Sequence, residues 1–293
     1  MSPVLPSLAL LFNALVWGVS WWPFRQLEAR GLHPLWATAI VFIFSLACLM
    51  VLRPGAWRGF KGRPLLWMLL LATGATNVGF NWAVTTGDVV RVVLLFYVMP
   101  AWSVLLAWLL LGERPTAASL LRVVLALAGV AIVLKSPGAD WPVPSSASDW
   151  LALGGGFSFA LTNVMLRKLR DAPTDARVLS MFAGGTLIAT LAALFGMSQG
   201  FVAQPPAPAA GWVAFVLLLS VGFLASNMAL QYGASRLSAH TSSLIMLSEV
   251  IFASLSSVVL GASELPSRTL LGGALVVAAA LLSALPERKE KIP

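Results

Sequence analysis

The chain is poor in the residues on which soluble catalysis draws. It has one cysteine, Cys48, so an intrachain disulfide or a cysteine metal cluster is excluded. Two histidines, His33 and His240, and eleven acids are spread over 293 residues. Charged residues make up 10% of the chain, against about 25% in a soluble domain. No nucleophile–base arrangement, phosphate loop or metal-ligand cluster is found. Gly154-Gly-Gly156 is not a phosphate loop, because no Lys-Ser/Thr follows and it lies within an apolar run. No cofactor or metal is expected, nor direct drive by ATP, and the chain is not read as an enzyme. A lipid-modifying membrane enzyme would need a catalytic cluster at an interface. A channel would need polar residues along entire helices, whereas here they cluster near the middle of the spans.

What is present is repetition of apolar runs. About ten segments are each long enough to cross a bilayer, and mean hydropathy is +0.88. The fold expected is an all-α polytopic membrane protein with helices near 5–24, 34–52, 64–85, 91–111, 117–135, 149–167, 177–197, 210–231, 239–261 and 268–285. The first run lacks a basic leader and a small-residue cleavage site, so it reads as a retained helix, not a signal peptide.

The formal charge of +8 invites a nucleic-acid reading. Its distribution argues otherwise. Arg53, Arg58, Lys61, Arg63, Arg114, Arg167, Lys168, Arg170, Arg177, Arg236, Arg288, Lys289 and Lys291 fall on one side, thirteen in all. Arg25, Arg30, Arg91, Lys135 and Arg268 fall on the other, and Arg122 lies within helix 5. The positive-inside rule then places both termini in the cytoplasm. The partners expected are membrane lipids and a small-molecule substrate, with no nucleic acid.

The Pro/Ser-rich connection 136–148, placed in the periplasm, divides two five-helix repeats, 1–135 and 149–285, followed by a basic cytoplasmic tail, 286–293. Trp17-Gly-Val-Ser-Trp-Trp-Pro-Phe-Arg25 lies over Phe159-Ala-Leu-Thr-Asn-Val-Met-Leu-Arg167. Asn81 and Gly87 match Asn227 and Gly233 at one offset. Gly112-Glu-Arg-Pro-Thr is echoed by Gly261-Ala-Ser-Glu-Leu-Pro-Ser. Five spans is an odd number, so the second repeat must be inverted. Inverted repeats build alternating access around a midplane site.

The two five-helix halves, the Trp-Gly-x-Ser element in helix 1 and Gly-Glu-Arg-Pro-Thr before helix 5 resemble the drug/metabolite transporter superfamily. Over nearly its full length the chain is similar to the EamA-type ten-helix transporters. Leu247-Ser-Glu249-Val-Ile-Phe resembles the family's Leu-x-Glu-Pro-x-Phe element, with Val250 in place of the proline, while Pro100 keeps its counterpart in helix 4. The Trp-rich first helix resembles YddG-type exporters of aromatic amino acids. The resemblance implies export and a bacterial inner membrane.

Polar side chains inside a membrane need partners or a function. Asn13, Trp17, Ser20 and Trp21 share a face of helix 1 by spacing. Asn77 and Asn81 are i and i+4 on helix 3, as are Asn227 and Gln231 on helix 8. Helix 6 carries Ser158, Thr162 and Asn163. Tyr97 is mid-span in helix 4, and Pro100 is a candidate hinge. Glu249 is the only acid deep inside an expected span, suited to a substrate ammonium or a proton. These fourteen residues form the expected substrate path. Each also has a structural reading, as helix packing or satisfied core polar groups. Helices 5 and 10, almost purely Ala, Leu, Val and Gly, read as scaffold or a homodimer contact. The function expected is export of amino acids, aromatic or large hydrophobic ones preferred, with drugs or metabolites such as purines as the alternative cargo.

Overall fold

The computed structural model describes residues 4–135, 143–234, 236–237 and 245–284. Most of the 136–148 connection, His240 and Thr241–Ser243, and the basic tail lie outside the described residues. Within them the chain is helical, with no strand. The helices are α1 Val4–Val19, α2 Trp21–Glu28, α3 Pro34–Leu52, α4 Leu65–Thr86, α5 Val89–Phe96 and α6 Met99–Leu111. They continue with α7 Ala117–Leu134, α8 Ala147–Lys168, α9 Thr174–Ser198, α10 Ala210–Ala234, α11 Ser248–Val259 and α12 Ser267–Ala284. The face where α1 begins carries the Arg- and Lys-rich connections and is the basic face.

Among the described residues, six stretches are long and apolar enough to cross a bilayer on those grounds alone, and α11 and most of α12 are shorter apolar helices. The other two crossings, α4 and α8, have 22 residues each. Asn, Thr and Gly dilute their apolar character, and they can carry these residues because they pack against each other and against further helices.

Two expected single helices are each broken, and prolines explain both breaks. Helix 1 was expected to end at residue 24; it runs to Glu28 and is interrupted at Ser20. Pro23 has no N–H to give to the Val19 carbonyl, and Ser20 Oγ donates 2.8 Å to the Trp17 carbonyl. Helix 4 is interrupted at Tyr97–Val98, because Pro100 cannot bond the Phe96 carbonyl. A side chain on Gly156 of α8 would collide with that carbonyl oxygen, so glycine is what admits it. The ninth span has a turn at Leu247 although Val250 replaces the proline. There Ser248 Oγ donates 2.7 Å to the Ile245 carbonyl, a local bond that competes with the helix ladder.

The helix pairings obey a pseudo-twofold relation. The α4–α8 contact is matched by α10–α1, α4–α9 by α10–α3, and α5/α6–α8 by α11–α1. The pairs α3–α9, α5–α11 and α7–α12 map onto themselves and lie on the axis. Gly112 and Gly261 end α6 and α11 with φ of 72° and 65°, a conformation glycine adopts without penalty. That accounts for the echo between those two loops. Helices α7 and α12 cross at Gly129 and Gly272, where a Cβ on either would come within 2.6 Å of the other's carbonyl oxygen. The glycine faces of helices 5 and 10 are therefore used inside one chain. Ala274 remains on the exposed side of α12, so a dimer through these helices would use their outer faces.

Opposite the basic face, Arg91 closes the bundle. Its Nε and one Nη donate to the two Asp149 carboxylate oxygens, both at 2.8 Å, and the other Nη donates 2.7 Å to the Val133 carbonyl. Three helices, α5, α7 and α8, are tied at one point. Asp149→Asn should cost about 3–5 kcal/mol, since it strands a half-buried guanidinium, and the Arg91→Met/Asp149→Leu double variant should recover most of it. Unfolding in detergent measures this; an Asp149→Asn protein that melts with the wild type would remove the pair from the stability argument.

Candidate functional site

A cavity of about 120 Å³ lies at the centre of the bundle. Its wall draws on α1, α3, α4, α5, α8, α9, α10 and α11, together with Tyr97 and Met246 beside the breaks. It sits midway, somewhat nearer the basic face: Met181 and Phe182 are two turns into α9, and Asn227 is two turns from the end of α10. The opposite half of the bundle is filled by packed apolar side chains, among them Trp21, Val84, Val89, Val93 and Val250.

Eight of the eighteen lining residues are aromatic. Trp17 stacks on Phe223 at 4.4 Å and 12° and meets Phe80 edge-on at 6.5 Å. Phe80 meets Phe96 at 4.8 Å, and Phe96 meets Phe159 at 5.4 Å. Phe42 and Phe182, 5.9 Å apart, close another part. Ring pairs in stacked and edge-on geometry add about 0.5–1.5 kcal/mol each beyond the area they bury.

The polar groups are few and placed by the helix breaks. Tyr97 caps α5 at the Pro100 break, and Glu249 sits in the first turn of α11 beyond the Leu247 break. The Tyr97 hydroxyl donates 3.2 Å to Glu249 Oε2. The acid and the phenol thus meet where the two broken helices touch. Asn13 Nδ2 donates to the Ser226 carbonyl (3.0 Å) and to Ser226 Oγ (2.6 Å). That carbonyl accepts only, so the amide orientation is fixed, and Asn13 Oδ1 is left buried without a partner. A buried acceptor in this state calls for a donor. Asn77 Nδ2 donates 2.8 Å to the Thr73 carbonyl, and Thr162 Oγ1 donates 3.0 Å to the Ser158 carbonyl. Asn227 Oδ1 accepts from Gln231 Nε2 at 3.2 Å.

Of the residues expected from sequence, Asn13, Trp17, Asn77, Tyr97, Thr162, Asn227 and Glu249 line this cavity. The others do not. Ser20 spends its hydroxyl on the Trp17 carbonyl, and Trp21 is packed away with Nε1 donating 2.9 Å to Ser256 Oγ. The Pro23 break turns these two off the face that carries Asn13 and Trp17. Asn81 is fully buried, its Nδ2 3.3 Å from Thr38 Oγ1. Ser158 offers Thr162 only its carbonyl, and Gln231 stands behind Asn227. Asn163 and Pro100 line a separate crevice at the basic face. The phenylalanines, Thr73 and Thr76 were missed. Thr73, Thr76, Asn77 and Phe80 follow i, i+3, i+4, i+7, a stripe that reads as one face of α4. The phenylalanines carry no such signal, because lipid-facing positions use the same residue.

The EamA-like transporter family model matches residues 5–135 and again residues 146–285. The chain belongs to the EamA-like transporter family. It is a multi-pass integral membrane protein of transporter type. It is similar to a "Probable terminal-alkyne amino-acid exporter" of Streptantibioticus cattleyicolor, 29% identical over 283 residues, covering 94% of this chain and 91% of that protein. It is also similar to "Protein RarD" of Salmonella typhi, 30% identical over 175 residues, covering 57% of this chain and 55% of the relative. A solved crystal structure superposes with a TM-score of 0.57 at 20% identity, covering 95% of this chain and 96% of the other. That likeness is one of fold.

The repeat-related amides should respond differently to truncation. Asn81→Ala leaves Thr38 unpaired in a sealed site and should cost about 1–3 kcal/mol in unfolding, with binding of any cavity ligand retained. Asn227→Ala should leave stability within about 0.5 kcal/mol and weaken ligand binding. The opposite pattern would mean that Asn227 is the structural amide and Asn81 the functional one.

Proposed function

We propose that this protein exports amino acids, preferring aromatic or large apolar side chains, from the cytoplasm across a bacterial inner membrane by alternating access. The observation that carries this reading is the union of one carboxyl group, one unpartnered amide oxygen and an aromatic wall in a single small cavity. A substrate ammonium has an acceptor there in Glu249, beside Asn13, whose buried Oδ1 lacks a donor. The Asn77 and Asn227 amides, each with an N–H to spare, suit the carboxylate end. The rings of Trp17, Phe80, Phe96 and Phe159 suit the side chain. Stacking adds on the order of 1 kcal/mol beyond burial, so selectivity among apolar side chains is loose. The amino-acid exporter name of one relative agrees with this cargo. A planar purine would also satisfy the stacked wall and is the second cargo to test.

Alternating access draws support from an asymmetry between the repeats. Arg25 and Arg167 are repeat equivalents by sequence. Arg167 forms an ion pair with Glu113 in the loop after α6. Glu264 is the counterpart of Glu113, but Arg25 does not use it. Arg25 instead donates to the Val84 carbonyl at 3.3 Å and to the Gly87 carbonyl, closing α2 onto the end of α4. Two equivalent arginines in two different settings are what one state of a two-state machine requires. In the other state Arg25 pairs with Glu264, and Arg167 turns to the carbonyls at the end of α10.

Proteoliposome uptake with labelled Phe, Trp, Thr and a cationic drug, with and without a pH gradient, tests the cargo. Saturable amino-acid flux is expected. It should be lost in Glu249→Gln, strongly reduced in Trp17→Ala, and reduced about fivefold in Tyr97→Phe, which lacks the hydroxyl that reclaims Glu249 when cargo leaves. Drug flux without amino-acid flux would sink the proposal. The exchange of arginine contacts is tested by a bismaleimide crosslink between Arg25→Cys and Glu264→Cys in a Cys48→Ala background. Crosslinking should rise during turnover; its absence under every substrate condition would rule out that second state.

A further inference from the structure

The side-chain amide of Asn227 is held at one end. Gln231, one turn further along α10, donates from Nε2 to Asn227 Oδ1 at 3.2 Å. Asn227 Nδ2 then faces the Met181 sulfur at 3.9 Å. Asn227 and Met181 both line the central cavity, and Gln231 does not. The two contacts agree on which way the amide points. A thioether sulfur has no hydrogen to donate, so it meets the N–H end of the amide and not the oxygen. Reversed, the amide would set its oxygen against the sulfur lone pairs. The oxygen is therefore engaged by Gln231, and the N–H end is left on the side of Met181 and the cavity.

The first repeat shows that this hold is not a requirement of the fold. At the offset that pairs Asn81 with Asn227, the counterpart of Gln231 is Thr85. The Thr85 hydroxyl donates to the Asn81 backbone carbonyl, not to the side-chain amide. Asn81 gives its own Nδ2 to Thr38. One repeat thus uses this position to brace its own helix. The other uses it to orient a side chain in the cavity wall.

We propose that Gln231 is a positioning residue that makes the cavity selective for cargo bearing a carboxylate, an inference that rests on the amino-acid reading above. It presents Asn227 to the cargo as a donor. A carboxylate accepts from that N–H, whereas an ammonium in the same place would meet hydrogens like its own. Glu249 accepts and Asn227 donates, so a zwitterion finds a partner for each of its charges.

The probes are phenylalanine and phenethylamine, which keeps the ring and the ammonium but lacks the carboxylate. Binding to the full chain in detergent is measured at about pH 8, where an introduced carboxyl is ionised. The wild type should prefer phenylalanine about tenfold, the effect of one hydrogen bond to a charged group. Gln231→Glu sets an acceptor-only group beside Asn227, so the amide turns its hydrogens to it and its oxygen to the cavity, and the preference should reverse. Gln231→Leu removes the hold without adding charge and should lower the preference without reversing it. Charge alone would also move these affinities, so the amide is read directly by NMR, with labelled asparagine side chains and methionine methyl groups. A nuclear Overhauser contact should link the Met181 methyl to the Asn227 amide hydrogens, which are assigned by their loss in Asn227→Ala. It should vanish in Gln231→Glu and weaken in Gln231→Leu. Absence of this contact in the wild type, or its full strength in both variants, would overturn the positioning role, as would a wild-type preference in both. A wild type that binds the two probes equally would overturn the amino-acid reading and the selectivity built on it, while the labelled contact still decides whether Gln231 holds the amide.

Discussion

The Phe96 carbonyl, released by Pro100 and set against Gly156, is the contact on which the site depends. Hydrocarbon supplies no hydrogen bonds, so a helix can be interrupted inside a membrane only where protein surrounds the interruption. Gly156 admits the carbonyl because it has no side chain. The resulting break lets Tyr97 leave the helix ladder and reach across to Glu249. Across the pseudo-twofold axis, Gly18 plays the same part against the start of α11: a Cβ there would meet the Glu249 carbonyl oxygen at 2.8 Å. Both functional groups are therefore aimed by backbone geometry that two glycines permit.

The same symmetry limits how the molecule can move. Pairs that map onto themselves, α3–α9, α5–α11 and α7–α12, lie on the axis. The α7–α12 crossing is sealed glycine against glycine and has little room to slide. The α5–α11 pair carries one polar contact between two broken helices and is the freer of the two. Under the proposed alternating access, motion about the axis would rearrange α1, α2 and α8 against the broken helices while α7 and α12 stay together. The unequal settings of Arg25 and Arg167 fall on the elements that this division leaves mobile.

Much of the architecture was legible in the sequence. Crossing number, the two repeats and the Gly112/Gly261 correspondence follow from hydropathy and turn chemistry, which act locally. The breaks at Ser20 and Tyr97 were partly legible, since Pro23 and Pro100 are visible; the break at Leu247 was not, because a serine back-bond does there what a proline would do. Asn81 and Asn227 show the limit most clearly. They are equivalent by sequence, yet one is sealed against Thr38 and the other lines the cavity. Only the arrangement of the repeats in one particular state distinguishes them. The aromatic wall was invisible for a different reason. In a membrane protein, phenylalanine is equally at home facing lipid, so its presence in a span says nothing about direction.

The Tyr97–Glu249 bond also bears on release. Under the proposed function, a substrate ammonium would reach Glu249 only by displacing or sharing the tyrosine's hydrogen bond, so the gain on binding would be a difference between two interactions. Exchanging partners of this kind nets about 1 kcal/mol, where a fresh charge pair in a dry site would bind far more tightly. The aromatic wall contributes area without direction. Under the proposed function, a cavity assembled this way would bind its cargo well enough to select it and would let it go when the far side opens, because Tyr97 is in place to take the carboxylate back.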